Sequence, residues 1–87
     1  MTVLIRMRAG SAKANGAEIP AEGVELGSGI EIDGENKSCE IENHTGIALA
    51  MTVGDLADGG TQMEIPAGAT VTVTGPLPVK LEAAHAE

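Results

Sequence analysis

The stretch of residues 65–75, "IPAGATVTVTG", decides the fold. A Pro-Ala-Gly corner separates an isoleucine from a run in which valine and threonine alternate. Proline ends a strand, glycine permits a turn, and a period of two residues is the pattern of a half-buried strand. We therefore predict a strand, a corner and a second strand, with Val71 and Val73 facing inward and the threonines facing solvent.

Alternating segments on both sides of this corner continue the pattern. The other large side chains predicted to face inward are Val3, Ile5, Met7, Ile30, Ile32, Cys39, Ile41, Ile47, Leu49, Met51, Val53, Met63, Ile65, Val79 and Leu81. Asp33-Gly34 suits a tight hairpin turn. Short strands separated by turns predict an all-β fold, a small antiparallel β-sandwich or barrel of about six to eight strands with no substantial helix.

The first 23 residues differ from the rest of the chain. Residues 2–8 form a good strand, but residues 9–23 are rich in glycine and alanine and predict a long loop or arm. We divide the single domain into this N-terminal segment, 1–23, and a β-sandwich body, 24–87. Residues 1–13 carry a charge of +3, whereas the rest of the chain sets thirteen acids against Lys37 and Lys80, a charge of −11.

The composition predicts a thin core. The 87 residues include no Phe, Tyr or Trp, and aromatic side chains usually dominate the energetics of a core. A domain of this size is marginally stable alone, so we expect help from a partner surface or from self-association. The single cysteine, Cys39, has no partner for an internal disulfide.

The net charge of −8 argues against binding to nucleic acid or to an anionic membrane, because phosphate binding needs a basic surface. An acidic chain of this kind could instead mimic nucleic acid in the groove of a basic protein. The start of the chain lacks the apolar core of a signal peptide, and no apolar run is long enough to span a bilayer. We therefore expect a protein that is not secreted.

No constellation of residues predicts catalysis, a metal or another cofactor. Cys39 and His44 with Met51 or Met63 would suit copper, but the second histidine of such a site is missing from this region. The acids of residues 33–40 lack the spacing of a calcium loop, and no serine lies in a nucleophile elbow. We predict that the protein is not an enzyme.

The second half of the chain resembles the small β-sandwich accessory proteins of tailed-phage virions. The segments that carry the resemblance are "IENHTGIALAMTV", "TQMEIPAGATVTVTG" and "PVKLEA". The resemblance implies a capsid-decoration or cement protein, or another structural part of a virion, assembled in the host cytoplasm. Its partners would be a capsid or other virion protein, or further copies of itself in a homo-oligomer.

Three functions therefore remain: a structural interaction protein, a small acidic inhibitor that mimics nucleic acid, and a soluble ligand-binding β-domain. For the first, we expect the N-terminal strand to carry the contact. Val3, Ile5 and Met7 would add to a sheet at an intermolecular interface, with Arg6 and Arg8 facing acids of the partner. The alternative is an ordinary first strand within the same sandwich.

Overall fold

A computed structural model describes residues 2–54, 60–76 and 78–84 of the chain. These residues form ten strands, which confirms the predicted all-β class, and none of them forms a helix that could cross a membrane. The strands are β1 (Thr2–Gly10), β2 (Lys13–Ala14), β3 (Ala17–Glu18), β4 (Val24–Glu25), β5 (Ile30–Asp33), β6 (Asn36–His44), β7 (Leu49–Val53), β8 (Thr61–Ile65), β9 (Thr70–Thr74) and β10 (Val79–Ala83). They outnumber the predicted strands because β2, β3 and β4 have two residues each.

The strands lie in two antiparallel sheets. The four-stranded sheet has the order β4-β1-β6-β9, and the six-stranded sheet has the order β3-β2-β5-β10-β7-β8. The chain changes sheet at most of its turns, so strands that pair are often distant in sequence. β1 pairs with β6, and β10 pairs with β5 as well as with β7.

The turn at Asp33-Gly34 is not the hairpin that the sequence predicts. It joins β5 to β6, which lie in different sheets and do not pair. The Asp33 carboxylate accepts a hydrogen bond of 2.8 Å from the Gly34 N–H, and Gly34 has a φ of +133°, a conformation that glycine adopts most readily. The dipeptide thus fixes the local turn, while burial of the alternate residues on each strand decides where that strand pairs.

The corner at residues 66–69 is confirmed as a strand-turn-strand unit. It is an arch that carries the chain from β8 in one sheet to β9 in the other. The Ala69 N–H donates to the Pro66 carbonyl at 3.0 Å, and Gly68 has a φ of +81°, a left-handed conformation that glycine adopts without strain. Val73 is buried and Val71 is half-buried, and the threonines of β9 are exposed.

The core lies between the two sheets and contains no aromatic side chain. Its fourteen buried apolar residues are Val3, Ile5, Ala14, Leu26, Ile30, Ile32, Cys39, Ile41, Leu49, Met51, Ile65, Val73, Val79 and Leu81. Most of the inward-facing residues predicted from alternation are among them. The period of two therefore gives the register of the longer strands correctly.

Two of the predicted inward residues are exposed instead. Ile47 is 39% exposed and precedes β7, so it lies in a turn rather than under the facing sheet. Met63 is 46% exposed, although it pairs with the buried Met51 on the inner face of the six-stranded sheet. β8 is the outermost strand of the wider sheet, and the four-stranded sheet does not cover Met63.

The N-terminal segment is part of the sandwich rather than a free arm. β1 pairs with β6 along its length and with β4 at Thr2 and Val3, while β2 pairs with β5 and β3. Gly10, with a φ of +84°, marks the point where β1 leaves the four-stranded sheet. A Cβ atom there would clash with the backbone of Glu35, so only glycine fits. The predicted loop at 55–59 and the end of the tail at 85–87 lie outside the described residues.

Candidate functional site

The outer face of the four-stranded sheet carries a row of ion pairs. Arg8 donates to Glu40 at 2.9 Å, and an Arg6 nitrogen lies 3.3 Å from a Glu42 oxygen. The antiparallel register of β1 and β6 places these side chains on one face as diagonal neighbours. Arg6 and Arg8 therefore form ion pairs with acids of their own chain. The sequence predicts instead that they face acids of a partner.

Glu42 is the centre of this row. The His44 Nε2 lies 2.7 Å from the second carboxylate oxygen of Glu42. The hydrogen bond from His44 is the largest cause of a pKa of Glu42 below its ordinary value. Burial opposes this effect, and the positive charges of Arg6 and His44 add smaller contributions that lower the pKa. The carboxylate is thus held in its ionised form.

Replacing Glu42 by glutamine is expected to reduce the loss of stability in acid. Because the pKa of Glu42 is lower in the folded chain, its stabilising contribution is fully present above the ordinary glutamate value of about 4.3. That contribution disappears as the pH falls through the lower folded value. Urea unfolding at neutral and acidic pH measures the difference between the two proteins.

A His44→Ala variant, which removes the hydrogen bond that is the largest cause of the lowered pKa of Glu42, should show part of the same reduction. If acidification destabilises Glu42→Gln as much as the natural chain, the described row of ion pairs is not what favours the ionised carboxylate.

The outer face of the six-stranded sheet is predominantly acidic. The register places five carboxylates on it, those of Glu18, Glu31, Asp33, Glu64 and Glu82. Lys80 lies opposite Glu31, and Lys13 lies opposite Asp33 and Glu18. Five of the thirteen acids, scattered along the sequence, are therefore gathered on one face, with two lysines among them.

Asn43 joins three segments at one end of the sandwich, a role that the sequence analysis missed. Its amide nitrogen lies 2.7, 3.0 and 3.1 Å from the carbonyl oxygens of Ile47, Ile65 and Pro66, which share its two N–H donors. Its amide oxygen accepts from the N–H and the hydroxyl of Thr45. The side chain is 1% exposed, so it fixes the end of β6 to the turn before β7 and to the arch.

Cys39 and Asn36 lie together in the core. Burial raises the pKa of the Cys39 thiol, and the neighbouring Asn36 side chain opposes that shift. The fully buried side chain of Asn36 interacts with the Cys39 thiol, and its amide atoms make no regular hydrogen bond to any other described residue. A buried thiol of raised pKa is typical of a small core residue rather than of a nucleophile.

The residues weighed for copper do not come together. Cys39 faces the core, whereas His44 lies on the exposed outer face and bonds to Glu42. Met51 is buried in the other sheet and its neighbour Met63 is exposed. In residues 2–54, 60–76 and 78–84, no three metal-ligating side chains form a group that could hold an ion.

An open cavity of about 560 Å³ lies between the segment that joins β1 to β2 and the turn that joins β5 to β6. It is lined by Ser11, Ala12, Lys13, Gly16, Glu31, Asp33, Gly34 and Glu35. All of these residues except Ala12 are exposed. Binding pockets for small molecules enclose most of the surface of their ligand, so this open depression gives little support to a ligand-binding function.

The two sides of the sandwich end differently. On one side the sheets end in β3 and β4, which have two residues each, and very short edge strands discourage pairing between molecules. On the other side they end in β8 and β9, which have five residues each. No described strand pairs with the outer edge of either, so the arch joins two open edges.

No known protein family, curated protein or solved structure matches this chain.

Proposed function

We propose that the protein is a non-enzymatic structural interaction protein, a virion accessory protein of the capsid-decoration or cement type. In this role it binds a protein lattice or associates with itself. The observation that carries the proposal is the pair of open five-residue edges at β8 and β9 on one side of the sandwich. Backbone groups along an open edge are templates for pairing with another chain.

The composition of these edges supports the same proposal. β9 has the sequence Thr-Val-Thr-Val-Thr, with no charge and no proline, so it carries none of the features that normally prevent pairing between edges. β8 contains one acid and exposes Met63 on its inner face. Methionine is a frequent residue of adaptable binding surfaces because its side chain is flexible and polarisable.

The N-terminal residues would contribute through the backbone of β1 rather than through its apolar side chains. Val3 and Ile5 are buried within the chain's own core, and Met7 is half-buried. β4 pairs with β1 only at Thr2 and Val3, so no described strand pairs with that side of β1 from Leu4 onward. Arg6 and Arg8 lie on the adjacent outer face, where a partner would meet them already paired with acids.

Isolation from the native source tests the proposal directly. We expect the protein to sediment in a density gradient with a large protein assembly, and mass spectrometry of each fraction follows it against the assembly's major component. A small soluble protein from the same source is the control. The proposal is wrong if this protein stays with that control at the top of the gradient.

The acidic outer face of the six-stranded sheet favours a second candidate function, an inhibitor that mimics nucleic acid. Lys13 and Lys80 lie opposite acids on this face and interrupt its negative charge, which makes the candidate weaker than the first. A mimic would release duplex DNA from a basic DNA-binding protein of the same source. Failure to compete at any concentration of the protein contradicts this candidate.

A further inference from the structure

The hydrogen-bond pattern shows which backbone groups face the open edge of β9. The Asn43 N–H donates to the Ala69 carbonyl, and the Gly75 N–H donates to the Lys37 carbonyl. Hydrogen-bonded pairs alternate in an antiparallel ladder, so Val71 and Val73 also direct their backbone groups toward β6. The N–H and C=O groups of the three threonines of β9 therefore point away from β6, into the open edge.

The same reasoning applies to β8. The Gly54 N–H donates to Pro78 and the Ala84 N–H donates to Ala48, so the even-numbered residues of β7 bond to β10. Its odd-numbered residues then bond to their partners in β8, which include Met63. The backbone groups of Gln62 and Glu64 consequently point away from β7, toward the outer side of β8.

We propose that β8 and β9 each pair, antiparallel, with the same strand of a second copy of this chain, so that both sheets continue across a two-fold axis. The proposal rests on the proposed function, whose partner it names for these two edges. A two-fold interface brings the same surface of both copies together, so each strand must be complementary to itself.

Both strands meet this requirement. β9 has the same sequence in either direction, so a pairing centred on Thr72 places threonine opposite threonine and valine opposite valine. Cross-strand threonine pairs are favourable. In β8, a pairing centred on Met63 places Gln62 opposite Glu64 of the second copy, with the outward backbone groups of both in register for hydrogen bonds. No acid then faces an acid across either strand pair.

One axis can serve both pairs. Met63 lies two residues before the end of β8 at Ile65, and Thr72 lies two residues after the start of β9 at Thr70. Both centres are thus equally far from the arch, so they lie at similar heights in the two facing sheets. An axis perpendicular to the sheets passes close to both, and one contact extends both sheets together.

The proposed dimer also accounts for the exposed methionine. In the β8 pairing, Met63 meets its own counterpart in a pair without backbone hydrogen bonds, where side chains come closest. The exposed side chain of Met63, on the inner face of the sheet, then packs against the second copy. Two chains of charge −8 repel each other, so the dimer should tighten as salt screens that repulsion.

Sedimentation velocity across a dilution series tests the proposal, with a Met63→Glu variant and a control. Met63→Glu places two carboxylates face to face and should weaken the dimer about tenfold or more. Ala17→Glu adds the same charge at an exposed position on β3, the opposite edge strand of the same sheet, and should leave the dimer unchanged. Mixing Met63→Glu with Met63→Lys should restore a mixed dimer, which also shows that both variants fold.

A second variant tests the β9 pair. Thr72→Pro removes an N–H that points into the open edge while leaving the bonds to β6 in place, and it should weaken the dimer. The proposal is overturned if the natural chain is a monomer throughout the series at high salt, if Met63→Glu dimerises normally, or if the mixture stays monomeric. A dimer that sediments apart from every large assembly supports this inference and contradicts the proposed function.

Discussion

Replacing Leu49 by alanine is expected to lower the free energy of unfolding by about 2–5 kcal/mol. Leu49 is fully buried on β7, which lies between β10 and β8 in the six-stranded sheet. Removing its side chain leaves a cavity that neighbours in a close-packed core refill only in part. Small domains have total stabilities of about 5–15 kcal/mol, so this loss is a large fraction of what holds the fold together.

Urea unfolding of the natural chain and two variants measures the effect. Thr52→Ala is the matched control, because Thr52 lies on the same strand but faces outward, opposite Gln62 and Lys80. Its change should stay within about 0.5 kcal/mol, as is usual for surface positions. A Leu49→Ala protein that unfolds at the same urea concentration as the natural chain would show that β7 packs in a different register.

Replacing Asn43 by alanine is expected to destabilise the chain by about 3 kcal/mol or more. The change removes the donors shared by three carbonyl groups and the acceptor used by Thr45, at a site that water does not reach. A buried polar group left without its partner loses about 1–3 kcal/mol, and several are affected here. The arch between β8 and β9 should loosen first, because two of the three carbonyls belong to Ile65 and Pro66.

Asn36 provides the control for this prediction within the same strand. It is also a fully buried asparagine of β6, but its amide atoms make no regular hydrogen bond in the part of the chain that the structure describes. Asn36→Ala therefore breaks no hydrogen bond to the backbone and loses only an interaction with the Cys39 thiol, a weak hydrogen-bonding group, so its cost should be clearly smaller. Equal losses of stability in the two variants would mean that volume, and not hydrogen bonding, is what Asn43 contributes.

Alternation in the sequence predicts which way most side chains point, but not how far the opposite sheet extends. It places Ile30, Ile41 and Leu81 in the core correctly because each lies on a strand covered by the facing sheet. It is wrong for Met63 because an edge position in the wider of two sheets depends on sheet order, which is set by long-range pairing. The same limit explains why Asp33-Gly34 predicts a turn but not the change of sheet.

The inward position of Asn43 could have been predicted from the sequence, but asparagine is polar and was not counted among the core residues. Asn43 follows Cys39 and Ile41 at intervals of two residues, so the same period that buries them places it on the inner face. A polar residue at an inward position near the end of a strand must find hydrogen-bond partners. The sequence could not identify those partners, because Ile65 and Pro66 are more than twenty residues away.

The position of β10 has a consequence for the order in which the chain folds. β10 is the last strand of the described chain, yet it lies in the middle of the six-stranded sheet, between β5 and β7. Until it is made, β2 and β5 have no strand connecting them to β7 and β8 within that sheet. The sheet therefore cannot close until the chain has been made as far as β10, and folding dominated by such distant pairings is slow, in the range of milliseconds to seconds.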